Sequence, residues 1–230
     1  MTDELLFITQ VAPYADGPAG VHGTLNQATV GVGECAELSG LGSRRVDDVR
    51  ALELGALEQA RVLALFTIGE TPWSEPQQEV ITRRVRDGSL VGVAIHSATD
   101  SCNFWPFYGS LVGARFNGHP WTQTVDLEVV DRDHPATRHL APTWSWYDEV
   151  YQFRNLGPDA QVLLRVPTEQ LDLGVPGVDE PPYGFPLSWC FQEGEGRVFS
   201  TSLGHFHGAW ETPVYLQHLA GGLRWALGED

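Results

Sequence analysis

The sequence predicts an α/β fold, a three-layer sandwich of the flavodoxin-like kind in which helices cover both faces of a mainly parallel sheet. Two apolar segments of strand length, RVLALFTI (61–68) and LVGVAI (90–95), flank a segment with the pattern of an amphipathic helix. Strand, helix and strand in succession form a βαβ unit, whose parallel strands need cover on both faces. A second amphipathic helix ends the chain, and we expect residues 1–230 to form one domain.

The N-terminal half predicts alternating strands and helices. The apolar pattern places strands at 5–8 and 43–46, a helix at 21–38 and a short helix at 49–57. Ser74 and Gln77 have the spacing of a capping box, Pro76 is tolerated in the first helical turn, and Gly88 is a typical helix stop.

The C-terminal half predicts further strands and one long helix. We expect a short helix at 104–112, a half-exposed strand at 124–130, a loop at 174–186, and strands at 162–166, 187–191 and 197–201. Thr212 and Pro213 begin the last helix. Gly221 and Gly222 inside it each cost about 1 kcal/mol relative to alanine, which predicts a close approach of this helix to the sheet.

The charge balance excludes several classes of protein. The chain has 30 acidic residues and 14 basic residues, all of them arginine, for a net charge of −16. Such a chain lacks the basic face that binds nucleic acid or an anionic membrane, so neither is an expected partner. The absence of lysine also excludes a Schiff-base lysine and a P-loop.

The cysteines and the N-terminus indicate a reducing compartment. Cys35, Cys102 and Cys190 are too few and too scattered for a disulfide framework or a zinc knuckle. The sequence MTDELLFITQ has no signal-peptide pattern, and no apolar run approaches the roughly 20 residues of a membrane span. We therefore expect a cytoplasmic protein.

Two histidines directly follow predicted strands. His96 comes after LVGVAI, and His205 comes four residues after RVFST. Because ligands of open α/β sheets bind beyond the carboxyl ends of the strands, we expect both imidazoles at one rim. His119, which precedes a proline, is expected near the same rim, whereas His134 and Thr137 are expected to have a structural role in a turn.

A carboxylate pair lies beside an aromatic segment. Asp148 and Glu149 follow WSWY (144–147), and paired carboxylates among aromatic rings suit acid–base chemistry on a sugar. His96, His205, His119 and Glu149 together would also make a zinc-type ligand set, although no contiguous metal motif is present. The G-x-S-x-G motif of serine hydrolases does not occur around Ser97.

The chain resembles the ThuA-like (trehalose utilisation) family, part of the superfamily of class I glutamine amidotransferase-like folds. The resemblance rests on six motifs that occur in order along the chain: VGVAIHSATD (91–100), FWPFYGSLVGARFNGHP (104–120), DRDHPATRHL (131–140), YDEVYQF (147–153), PLSW (186–189) and GRVFSTSLGH (196–205). PAGVHG near residue 20 and GGLRWALG near the C-terminus are also in place.

The resemblance implies a sheet of about six strands. It places His96 where the amidotransferases carry their cysteine and His205 near their catalytic histidine. Glutaminase thiol chemistry is not expected, because Cys102 lies six residues beyond His96. The family is associated with bacterial disaccharide catabolism, especially of trehalose-type sugars processed through 3-keto intermediates.

The leading hypothesis is an enzyme acting on a glycoside or 3-keto-sugar. Its catalytic residues would be His96, His205, Glu149 and Asp148, with a pocket shaped by Ser97, His119, Tyr151 and Trp189. This chemistry needs no redox cofactor, and a divalent metal such as zinc, if one is used, would be held by His96, His205 and Glu149. Two alternatives stay open: a non-catalytic sugar-binding or regulatory module, and an accessory subunit of a sugar oxidoreductase. Homodimerisation also stays open.

Overall fold

The computed structural model describes residues 3–14, 17–19 and 23–229, with the backbone alone described for 17–19. Its strands are β1 (Glu4–Ile8), β2 (Pro13–Tyr14), β3 (Gly17–Ala19), β4 (Gly42–Val46), β5 (Val62–Leu65), β6 (Val91–Ile95), β7 (Arg115–Phe116), β8 (Trp121–Val129), β9 (Thr143–Val150), β10 (Phe153–Arg154), β11 (Gln161–Val166), β12 (Phe185–Glu193) and β13 (Gly196–Thr201). Its α-helices are α1 (Leu25–Leu38), α2 (Leu54–Gln59), α3 (Glu75–Arg86), α4 (Tyr108–Val112), α5 (His207–Trp210) and α6 (Pro213–Leu227). Short 3₁₀ helices span Val49–Ala51, His96–Asp100 and Thr168–Gln170.

Nine strands form one sheet in the order β4–β1–β5–β6–β13–β12–β11–β8–β9. The first five pair in parallel, and the remaining four extend the sheet by antiparallel pairing. Strand residues in the parallel half alternate between two apolar cores. Leu5 and Phe7 pack on the side of α1 and α6, whereas Leu6 and Ile8 pack on the side of α2 and α3. This architecture confirms the predicted fold class, with more strands than the resemblance implied.

The antiparallel half curls around α6. The ring of Trp146 on β9 stacks on Tyr215 of α6 at 5.6 Å, and His218 of α6 contacts both Trp144 on β9 and Phe199 on β13. Helix α6 therefore lies between the middle of the sheet and its last strand. Four antiparallel pairings separate β13 from β9, and an even number restores the strand direction. Strand β9 therefore runs the same way as β6 and β13, and the three strands end at one rim.

Most predicted elements are confirmed. The strands predicted at 5–8, 43–46 and 90–95 and the last helix are present, and Ser74 donates its backbone N–H to Gln77 Oε1 at 3.0 Å in the predicted capping box. Helix α1 ends as predicted but begins at Leu25. The predicted helix residues 21–22, and with them residues 20–22 of PAGVHG, lie outside the described part of the chain.

The continuous helix predicted at 49–57 is wrong. A 3₁₀ turn and α2 replace it, because the Gln77 side-chain amide donates hydrogen bonds to the backbone carbonyls of Val49 and Leu52 at 2.7 and 2.8 Å. The short helix predicted at 104–112 is also reduced to the five residues of α4. Strand β9 is an element that the sequence analysis does not predict. Its buried positions alternate with exposed ones, but one of the buried positions holds a charged residue, Asp148, so the pattern of apolar residues expected for a strand is interrupted.

Both glycines of α6 lie at close contacts: Gly222 faces strand β13, as expected, whereas Gly221 faces the loop between β8 and β9. A Cβ at Gly221 would meet the carbonyl oxygen of Pro135 at 2.2 Å, and one at Gly222 would meet the ring of Phe199 at 2.5 Å. The predicted turn role of His134 and Thr137 also agrees with the structure, where His134 Nδ1 accepts the N–H of Ala136.

Candidate functional site

His96 begins the site at the end of β6. Its backbone has φ +50°, an uncommon conformation for histidine, at the sharp turn from the strand into the 3₁₀ helix. The side chain is 0 % exposed, and its Nδ1 lies 2.8 Å from the carbonyl oxygen of Ser202. Because a carbonyl can only accept, Nδ1 carries a proton, so in the neutral tautomer of this ring the lone pair lies at Nε2.

Three side chains converge on this Nε2 atom. His205 Nδ1 lies at 3.1 Å, the Tyr151 hydroxyl at 3.0 Å and Glu149 Oε2 at 3.6 Å. His205 Nδ1 and Glu149 Oε2 are themselves 3.3 Å apart. The residues come from the ends of β6, β9 and β13, as their common direction requires.

Asp148 holds this arrangement together. Its buried carboxylate accepts the indole N–H of Trp146 and the backbone N–H groups of Glu149 and Gly204, at 3.1, 2.9 and 2.8 Å. Burial raises the pKa of Asp148 above its usual range, whereas these hydrogen bonds act in the opposite direction. The carboxylate therefore ties β9 to the segment that carries His205, and the described contacts give it no direct place in the cluster.

His119 lies on the other side of Glu149. Its Nδ1 is 3.6 Å from Glu149 Oε1, and its side chain is 44 % exposed, compared with 27 % for His205. The ring stacks on Tyr151, with centroids 5.7 Å apart. Tyr151 is fully buried, and burial together with the nearby Glu149 charge raises its pKa, so it stays a protonated hydrogen-bond donor.

The other two predicted pocket residues lie deeper. Trp189 is fully buried, donates its indole N–H to the Val112 carbonyl at 3.1 Å and packs against Phe153, so the structure does not bring it to the cluster. Ser97 is buried directly after His96, and its Oγ has no hydrogen-bond partner among the described residues.

Sequence reasoning missed an aromatic pair at the rim. Tyr147 is exposed and lies 5.1 Å from the ring of Phe206, which contacts His205 at 4.6 Å. Tyr147 and Glu149 are two residues apart on β9 and therefore share one face of the strand. This relation would have been visible in the sequence only if the segment had been recognised as a strand.

A second polar contact near the site was also missed. The Tyr14 hydroxyl donates to Asp100 Oδ2 at 2.5 Å, joining the β2–β3 hairpin to the end of the 3₁₀ helix that begins at His96. Burial raises the pKa of Asp100 above its usual range, with the Tyr14 hydrogen bond opposing it.

The buried thiols do not form a nucleophilic site. His134 Nε2 lies 3.6 Å from Cys190 Sγ, but His134 Nδ1 accepts an N–H, so Nε2 carries the proton and the ring cannot act as a base toward the thiol. Burial raises the pKa of Cys35, Cys102 and Cys190 to about 12 each, which keeps them as thiols at neutral pH.

His96, His205 and Glu149 have the geometry of a set of metal ligands. One nitrogen each from His96 and His205 and one oxygen from Glu149 lie within 4.8 Å of one another. No second group of three such side chains occurs in the described part of the chain.

The described helices include none that is long and apolar enough to cross a membrane.

Comparisons with known structures agree with this fold. A ThuA-like protein from Bacteroides uniformis is 20 % identical with a TM-score of 0.76, over 99 % of this chain and 92 % of that one. A ThuA-like protein from Parabacteroides merdae is 18 % identical with a TM-score of 0.73, over 98 % and 90 %. PurLQS from Thermotoga maritima is 15 % identical with a TM-score of 0.53, over 99 % of each chain. At these identities the likeness concerns the fold alone.

The sequence itself carries the family assignment. No curated protein matches the chain significantly. The family model ThuA, described as trehalose utilisation, matches residues 16–226, a range that includes His96, His119, Glu149 and His205. Because the match runs through nearly the whole chain, this protein belongs to the ThuA (trehalose utilisation) family.

Proposed function

We propose that this protein is a cytoplasmic enzyme of disaccharide catabolism that cleaves a trehalose-type glycoside carrying a ketone at C3 of one sugar ring. The observation that carries the proposal is the convergence of His96, His205 and Glu149 at one rim, with the exposed imidazole of His119 beside the same carboxylate. Membership of the trehalose-utilisation family supports the sugar class. The cytoplasmic location is supported by two Salmonella typhimurium structural neighbours that are named cytoplasmic proteins.

The proposed reaction is an elimination. The C3 ketone acidifies the C2–H bond, and a base removes that proton to form an enolate. As the ketone re-forms, the electron pair makes a C1=C2 double bond and the C1–O glycosidic bond breaks. The departing oxygen takes up a proton and leaves as the free sugar, and later addition of water across C1=C2 would complete a net hydrolysis.

His119 is the proposed base. A carboxylate facing its Nδ1 favours the tautomer with the proton on Nδ1, which leaves the Nε2 lone pair for the substrate. His96 is too deeply buried for this role. The enolate oxygen gains negative charge and requires an electrophilic partner, and we assign that part to the cluster of His96, His205 and Glu149.

The aromatic pair is the proposed wall for the sugar. Tyr147 and Phe206 offer ring faces beside His205, and aromatic faces pack against the apolar C–H face of a pyranose. Replacing Tyr147 by alanine is expected to raise KM about 3- to 10-fold with little change in kcat, since an aromatic contact contributes about 0.5–1.5 kcal/mol.

The test uses trehalose oxidised at C3 and measures release of free glucose. Wild-type turnover is expected, with a loss of about 100-fold or more in kcat for His119→Gln. His139→Gln, which changes an exposed histidine outside the cluster, is the matched control and should keep wild-type kcat. Absence of turnover with and without added zinc, or unchanged kcat in His119→Gln, would contradict the proposal. Binding of the sugar without turnover would favour the non-catalytic module.

A further inference from the structure

We infer that His96, His205 and Glu149 form a binding site for a divalent cation of the zinc class. The inference deepens the proposed function, and its chemical role rests on that function, because the cation would be the electrophile that the elimination requires. Binding itself can be measured without any sugar.

The separations of the three ligand atoms fit one tetrahedral ion. The Nε2–Nδ1 distance is 3.1 Å, and Glu149 Oε2 lies 3.3 Å from His205 Nδ1 and 3.6 Å from His96 Nε2. Zinc bonds of about 2.0–2.1 Å at the tetrahedral angle give ligand separations of about 3.3 Å. Octahedral coordination at about 2.1 Å gives separations of about 3.0 Å between neighbouring ligands, so the set is better matched to zinc.

His96 and Glu149 both offer lone pairs that a cation can accept. His96 Nε2 presents a lone pair because Nδ1 donates to the Ser202 carbonyl, and the Glu149 carboxylate is an acceptor as well. Without a cation, the Tyr151 hydroxyl can donate to His96 Nε2 at 3.0 Å and His205 Nδ1 can donate to Glu149 Oε2 at 3.3 Å, so a bound ion would take the place of both hydrogen bonds. A metal ion would accept lone pairs from all three groups at once.

The surroundings hold these ligands as metal sites require. The carbonyl of Ser202 fixes the tautomer and ring orientation of His96, which is the usual outer-shell partner of a metal-binding imidazole. Asp148 fixes the backbone of Glu149 and the segment before His205. Of the three proposed ligands, only His96 is completely buried. An ion can therefore approach the site past the partly exposed side chain of His205.

The proposed site leaves one coordination position for a ligand. Three protein ligands with an open fourth position are the pattern of catalytic zinc sites, including those with two histidines and one glutamate. With the ketone oxygen of the substrate in that fourth position, zinc would act as a Lewis acid and polarise the ketone. His119 faces the other oxygen of Glu149 and is excluded from the ligand set.

The experiment measures metal binding by the full chain. We expect about one zinc per chain by elemental analysis after purification without chelator, and a tetrahedral Co²⁺ absorption spectrum after cobalt is added to the chelator-treated protein. His96→Ala, His205→Ala and Glu149→Gln should each lose both signals. His119→Ala should keep both, since it changes a histidine next to the cluster that is not a ligand.

The outcomes separate this inference from the proposed function. No binding of Zn²⁺ or Co²⁺ to the wild type by calorimetry, or binding unchanged in all three ligand variants, would overturn the metal site. Turnover of the keto-sugar in the presence of chelator would overturn it as the electrophile while leaving the proposed function standing. Stoichiometric zinc without turnover would uphold the site and contradict the function. If His96→Ala does not fold, the partly exposed His205 provides the decisive variant, with circular dichroism as the folding check.

Discussion

Replacing Asp148 by asparagine tests whether this carboxylate positions the site. Its two oxygens accept three N–H groups, from Trp146, Glu149 and Gly204, inside the protein. Asparagine has one oxygen and one amide nitrogen, so at least one of these buried donors would face another donor. A lost hydrogen bond to a charged group contributes about 1.5–3 kcal/mol and an unsatisfied buried donor costs about 1–3 kcal/mol, partly offset because no charge remains buried.

We therefore expect Asp148→Asn to lower the free energy of unfolding by about 2–3 kcal/mol. In a chain of this size that corresponds to a fall in Tm of roughly 5–10 °C. Because the same bonds place Glu149 and His205, zinc affinity should fall about 10- to 100-fold, as it does when outer-shell partners are removed.

The assays are thermal unfolding by circular dichroism and zinc titration by calorimetry. Asp126→Asn on the adjacent strand β8 is the matched control; its side chain is exposed, and we expect a change within about 0.5 kcal/mol. An unchanged Tm together with unchanged zinc affinity in Asp148→Asn would refute the positioning role.

Two further predictions concern the packing of α6. Burial lowers the pKa of His218 to about 3, so as pH falls below 6.5 the unfolded chain takes up a proton that the folded protein refuses, and stability is lost. Between pH 7 and pH 5 the loss in the free energy of unfolding amounts to about 2 kcal/mol. His218→Asn should remove this part of the pH dependence, measured by urea unfolding at each pH. If the free energy of unfolding falls equally with pH in the variant and the wild type, the prediction is contradicted. Gly221→Ala should destabilise by about 1–3 kcal/mol, because the Pro135 carbonyl blocks the added Cβ and outweighs the gain of about 1 kcal/mol in helix propensity. Gly33→Ala in α1 should instead be neutral or stabilising, because the atom nearest to the added Cβ would be 3.5 Å away. If both variants change Tm in the same direction, the contact of Gly221 with the Pro135 carbonyl does not decide the effect.

The predictable part of the fold depends on local patterns. The buried strands β1, β5 and β6 are continuous apolar segments, and α3 begins at a capping box, so adjacent residues carry both signals. The rim position of His96 and His205 follows from the same logic, because β6 and β13 are parallel neighbours whose carboxyl ends must lie side by side. The predicted helix at 49–57 failed where a distant side chain, Gln77, took the carbonyls that the helix needed.

The sequence by itself determined the class of fold, the capped helix of the βαβ unit and the two histidines at the ends of parallel strands, since each depends on residues near in the chain or on a general rule for parallel sheets. The sequence also named Glu149 as a partner of those histidines, but the tertiary structure decided that it lies within 3.6 Å of both, that Asp148 supports the site and that Trp189 lies in the core. The physical reason is that β9 reaches the rim only by curling around α6, and this depends on contacts such as Trp146 with Tyr215, which are far apart in sequence and leave no local pattern.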